Sequence, residues 1–71
     1  MNEIKRSVTI AKHRTSVSLE SAFWDALREI AKEKGVSLSA LIASVDSTRQ
    51  GNLSSALRLF VLGEIQGKVK R

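Results

Sequence analysis

In the run Arg14-Thr-Ser-Val-Ser-Leu19, Arg14, Ser16 and Ser18 fall at every second position. In an extended strand they share one face, and Thr15, Val17 and Leu19 share the other. A guanidinium holds its donors in a planar fork and a hydroxyl both donates and accepts, so this face is equipped for hydrogen-bonded recognition. No grouping suggests catalysis. His13 is the single histidine of a chain without Cys and stands apart from clustered acids, so no metal site and no cofactor are expected. Asp46 and the serines have no partner histidine at a meaningful spacing, and a chain this small offers no cleft, so no enzyme is expected.

The charge around these residues points the same way. The net charge of +5 sits at the ends: residues 1–14 hold four Lys or Arg against one acid, residues 15–51 four against five, and residues 52–71 four against one. Basic ends beside a near-neutral middle favour an anionic partner, of which nucleic acid is the commonest. Solubility alone is the plainer account of the same charge. A length of 71 residues makes a single domain, 1–71, that buries a modest share of its surface. With no disulfide and no structural metal, oligomerisation is the staple left to it. No apolar run approaches the roughly 18 residues of a membrane span, so no membrane partner is expected. The opening Met-Asn-Glu-Ile-Lys-Arg holds no apolar stretch like a signal peptide, which with the absent cysteines favours a cytoplasmic setting.

The elements that must position these residues read off the apolar spacing. Residues 1–12 form a basic arm or a short strand, in which Val8 and Ile10 share one face of Arg6-Ser-Val-Thr-Ile10 and Ser7 and Thr9 the other. A strand follows over 14–19. Its apolar residues are odd-numbered where those of the first run are even, so one continuous strand cannot bury both sets and the chain must bend, bulge or turn between Ala11 and His13. Helical spacing then begins. A helix over 20–34 carries Phe23, Leu27, Ile30 and Ala31 as its stripe, with Lys32 and Lys34 near its negative end and Gly35 at its stop. Trp24 lies off that stripe, as a dimer-interface anchor or an edge residue covering the third helix. Ser37 caps a second helix over 38–48, with Leu38, Leu41, Ile42 and Val45 on one face. Asn52 caps a third over 53–66, with a broad stripe of Leu53, Ala56, Leu57, Phe60, Val61 and Ile65, and the charged tail after Gly67 frays. No internal repeat is evident.

A strand with a polar face, two helices joined by a Gly-containing turn and a basic N-terminus together resemble the ribbon-helix-helix family of the Arc and methionine repressors. The resemblance is carried by Lys12-His-Arg-Thr-Ser-Val-Ser-Leu19, Phe23-Trp-Asp-Ala-Leu-Arg-Glu-Ile-Ala31 and Glu33-Lys-Gly-Val-Ser-Leu-Ser39, with Asn52-Leu-Ser-Ser-Ala-Leu-Arg-Leu-Phe-Val-Leu62 similar to a bacterial subgroup that has an additional C-terminal helix. The fold it implies is mainly α with one short β-strand per chain, an intertwined homodimer whose antiparallel ribbon is made between chains. The physical reason is independent of the family: a lone strand leaves its backbone groups unpaired, and two short amphipathic helices cannot cover it. The dimer core would hold Val17, Leu19, Phe23, Leu27, Ile30, Leu38, Leu41, Ile42 and Val45.

The function implied is sequence-specific binding of double-stranded DNA by a dimeric transcriptional regulator, a repressor or autoregulator of a bacterial cytoplasm associated with the nucleoid. Arg14, Ser16 and Ser18 take the positions that read bases in the major groove, where an Arg fork suits guanine. Ser37 and Ser39, at the start of the second helix, take the phosphate clamp, and Lys5, Arg6, Lys12 and His13 add contacts to phosphates. Two other readings stand beside this one. The chain is the antitoxin of a toxin pair, gripping its protein partner through the third helix, or it keeps the fold as a protein-protein adaptor that does not bind DNA. The third helix can also fold back, extend the dimer or join dimers on DNA.

Overall fold

The computed structural model describes residues 3–48 and 51–69, with backbone only for 68 and 69. A hairpin of β1 (Glu3–Ile10) and β2 (His13–Glu20) is followed by α1 (Ser21–Lys34), α2 (Leu38–Thr48) and α3 (Leu53–Val69). The strands pair antiparallel, with Ile10 opposite His13 and Glu3 opposite Glu20. Only Ala11 and Lys12 separate them, at φ 52° and 70°. Two residues of positive φ make the type I′ turn, whose twist matches that of the flanking strands.

That turn accounts for the change of parity. Reversing the chain after Ile10 brings the even-numbered Ile4, Val8 and Ile10 onto the same face as the odd-numbered Val17 and Leu19. Both apolar sets then rest on one core. In this respect the ribbon departs from the expected single strand per chain: the arm is itself a strand from Glu3 onward and pairs within the chain, so β2 finds its partner along one edge without a second molecule. The part of the arm at residues 1 and 2 lies outside the described residues, as do residues 70 and 71 of the tail. The two strands are also alike. Lys5-Arg-Ser-Val-Thr-Ile10 and Arg14-Thr-Ser-Val-Ser-Leu19 match in residue type at five of six positions, a short repeat nine residues apart that a reading for long periods passes over.

The helices cover the apolar face of the hairpin. Along α1 the buried residues are Trp24, Leu27, Ile30 and Ala31, while Phe23 is half-buried, so the expected stripe holds at Leu27, Ile30 and Ala31 and Trp24 takes the place of Phe23 at its start. The cause is β1. Its Ile4 carbonyl accepts a hydrogen bond from Trp24 Nε1 at 2.9 Å, so the largest side chain of the chain goes inside, 1 % exposed, with its polar atom satisfied. Phe23 lies at the edge with the Arg58 guanidinium 5.9 Å from its ring centroid.

Gly35, at φ 70°, ends α1 in the left-handed conformation, and its N–H together with that of Val36 returns to carbonyls of the last turn. Ser37 Oγ accepts from the Ala40 N–H and Asn52 Oδ1 from the Ser55 N–H, each at 3.0 Å, capping α2 and α3. Helix α3 stays helical through Gly67, beyond the stop expected there. It packs against β2, α1 and α2, adding Leu57 and Val61 to the core. Val17, Leu19, Leu27, Ile30, Leu41, Ile42 and Val45 are buried within this one chain, and Leu38 is half-buried. No buried side-chain polar atom among the described residues lacks a partner. None of the described helices is long and apolar enough to cross a membrane.

Candidate nucleic-acid interface

Because the helices take one face of the hairpin, the other is free to meet a partner. The pairing register sets Lys5 opposite Ser18, Ser7 opposite Ser16 and Thr9 opposite Arg14 on that outward face. All are exposed except Ser18, which is half-buried. Opposite residues on one face of an antiparallel pair stand about 5 Å apart at Cβ, so these six side chains form a compact grid of donors and hydroxyls. Its two cations occupy opposite corners, Lys5 toward the open end of the hairpin and Arg14 toward the turn.

At the open end the same face carries Glu3 opposite Glu20, two acids that would repel an anion. Arg58, from α3, engages both. Its Nε donates to Glu20 Oε1 at 3.0 Å, and its Nη2 to Glu20 Oε2 at 3.2 Å and to Glu3 Oε2 at 3.4 Å. The hydrogen bonds from Arg58 hold the Glu20 carboxyl below the usual carboxylate range, and the Glu20 carboxylate in turn favours the charged guanidinium. Glu20 is also the residue before α1, and with its carboxylate turned to Arg58 it makes no side-chain cap there. Nothing in the local sequence announces this pairing, since Glu20 and Arg58 are 38 residues apart.

The other residues expected at the site are distributed as follows. Arg6 belongs by register to the helix-facing side, and its guanidinium lies 5.6 Å from the centroid of the Trp24 ring. Lys12 is in the turn, exposed at the hairpin tip. His13, also exposed, lines an open cleft of about 370 Å³ with Thr15, Asp46, Asn52 and Ser54. Ser37 and Ser39 flank the start of α2, both exposed, with Ser37 engaged as the cap. Ser7 and Thr9 were not singled out as readers. Their alternation with Val8 and Ile10 was the available signal, but only the in-chain pairing carries them to the face of Arg14. No group of three or more potential metal ligands occurs among the described residues.

No curated protein and no solved structure matches the chain significantly. A family model does match, over residues 3–65, a span that takes in the hairpin, α1, α2 and most of α3. That model describes a ribbon-helix-helix domain, and the chain therefore belongs to the ribbon-helix-helix family, whose members are in general DNA-binding regulators and antitoxins that act as dimers.

Proposed function

We propose that this chain is a sequence-specific regulator of transcription, a repressor or autoregulator in a bacterial cytoplasm, that lays its ribbon in the major groove of double-stranded DNA. The observation that carries the reading is the outward face of the hairpin, where Arg14, Ser16 and Ser18 stand ready for base edges while Arg58 engages both neighbouring acids. Lys12 at the tip and Ser37 and Ser39 at the start of α2 supply contacts to phosphates, to which Lys5, Arg6 and His13 add charge or donors. The chemistry is that of binding, without a catalytic step.

The regulator works as a homodimer, joined through α3. Leu59, Leu62 and Ile65 are 68 %, 49 % and 48 % exposed at spacing i, i+3, i+6, and so form one outward strip. The charged residues of α3 with described side chains, Arg58 and Glu64, are both drawn into ion pairs, with Glu3 and Glu20 and with Lys34. The strip is thus uncharged on a chain of net charge +5, which makes a second copy its best-matched occupant: a two-fold contact sets a patch against itself, and like charges there would repel. Sedimentation of the wild type and Leu62→Glu across concentration tests this. A dimer that the substitution dissociates supports it, whereas a wild-type monomer at micromolar concentration overturns it and turns attention to a toxin as the occupant.

DNA reading is tested by selection from a randomised duplex library with the wild type and Arg14→Ala, each at two salt concentrations. Enrichment of a defined site, relaxed at a base position by the substitution and weakened by salt, is the expected result. No binding at low salt would leave the adaptor reading in its place.

A further inference from the structure

The likeness of the two strands and their register together describe a symmetry. Residues nine apart correspond: Lys5 with Arg14, Ser7 with Ser16 and Thr9 with Ser18 on the outward face, and Val8 with Val17 and Ile10 with Leu19 on the inward one. Ser7 and Ser16 are at once corresponding residues and direct cross-strand partners. A half-turn about an axis through that pair, normal to the ribbon, therefore exchanges β1 with β2 and returns a similar side chain at each of these positions. The pair Lys5–Ser18 maps onto the pair Arg14–Thr9. A single chain thus displays, by an internal repeat, the near-two-fold face that two identical strands from two chains would produce.

The cover beneath the ribbon agrees with this arrangement. The apolar residues of both strands join one core with Leu27, Ile42, Leu57 and Val61, so the apolar part of the hairpin is backed by the helices of its own chain. The symmetry fails where the single set of helices requires it to: Arg6, facing the helices over Trp24, corresponds to Thr15, and Ile4, whose carbonyl takes the Trp24 N–H, corresponds to His13.

We propose that one chain alone carries a complete base-reading ribbon, in which Lys5, Ser7 and Thr9 read one half of a short DNA element and Arg14, Ser16 and Ser18 the other. The element is centred on the Ser7–Ser16 pair, and its two halves differ. An Arg fork bonds guanine through two donors where Lys offers a point charge, so the half under Arg14 is the more sharply defined. This rests on the DNA-binding reading above, moves Lys5 from phosphate contact to base reading, and adds to it Ser7 and Thr9 as readers and the number of chains per ribbon. Each chain of a dimer joined through α3 would bring its own ribbon.

The test is selection from a randomised duplex library with the intact wild-type chain, Lys5→Ala and Arg14→Ala, both substituted positions being exposed and outside the core. The expected result is that Arg14→Ala lowers base discrimination by about fivefold or more at one side of each ribbon-centred element, and that Lys5→Ala relaxes the opposite side. If Arg14→Ala relaxes both sides alike and Lys5→Ala neither, the ribbon on DNA is built between chains and the proposal is overturned while DNA binding stands. If Lys5→Ala leaves the site unchanged although Arg14→Ala acts on one side, β1 does not read bases and the proposal is likewise overturned. Absence of any enriched site with the wild type overturns both readings together.

Discussion

Replacing Trp24 by Phe isolates the contact that fastens β1 to the helices. The ring is 1 % exposed, and its N–H donates to the Ile4 carbonyl at 2.9 Å. Phenylalanine retains most of the apolar body but cannot donate, so the strand carbonyl loses its side-chain partner at a cost of about 1–3 kcal/mol. The smaller ring adds a packing loss of about 1 kcal/mol, the low end for large-to-small changes in a core. Together these come to about 2–4 kcal/mol, against a total stability of about 4–11 kcal/mol for a chain of this length. The variant should stay folded with a Tm lower by roughly 10–25 °C, measurable by urea and thermal unfolding. Amide exchange should report where the loss falls, with protection reduced most in β1 and least in α2. A loss below about 0.5 kcal/mol, or one spread evenly over the chain, would refute the reasoning, because surface changes without a structural role fall in that range.

Other perturbations test other parts of the frame. Leu57 is fully buried on α3, and Leu57→Ala should cost about 2–5 kcal/mol in urea unfolding; a cost below about 1 kcal/mol would make α3 an appendage instead of a layer of the core. The depressed Glu20 pKa contributes stability that is present above the ordinary carboxyl value of 4.5 and is lost as pH falls through the lower folded-state value. The gap in urea midpoint between the wild type and Glu20→Gln should therefore be steady at neutral pH and close in acid, whereas a gap independent of pH would show that charge is not what joins Glu20 to Arg58. Ala11 and Lys12 both sit at positive φ, so Ala11→Asn with Lys12→Gly should raise stability by about 1 kcal/mol on thermal unfolding, while removing the charge at the tip should weaken DNA binding. Unchanged or lower stability would mean that the turn is not strained as its dihedrals imply.

Much of this frame was legible because the signals are local. Gly35 as the stop of α1 and Ser37 and Asn52 as caps each act within a few residues, and their side-chain or backbone geometry is as the sequence indicates. The parity change between Ile10 and Thr15 likewise required a bend, bulge or turn of the chain. What it did not mark was a tight hairpin, since Ala-Lys is not among the pairs that favour positive φ. The place of Trp24 depended on that missing strand: without the Ile4 carbonyl a buried indole N–H has no partner, and Phe23 is the natural choice for the stripe. The triad of Glu3, Glu20 and Arg58 joins the start of the chain, the end of the hairpin and the last helix, so no spacing rule reaches it. The outward orientation of Arg14, Ser16 and Ser18 was readable from alternation alone, whereas their neighbours across the ribbon required knowledge of the register.

The repeated strand has a consequence for how the ribbon can vary. Where two identical chains each lend one strand, a single codon change appears twice and alters both sides of the ribbon at once. Here the sides are encoded separately, at Lys5 through Ile10 and at Arg14 through Leu19, and a change in one leaves the other as it was. The Lys5 and Arg14 corners already differ in this way while the central serines agree. Such a ribbon can drift in one half at a time, with the unchanged half holding the register.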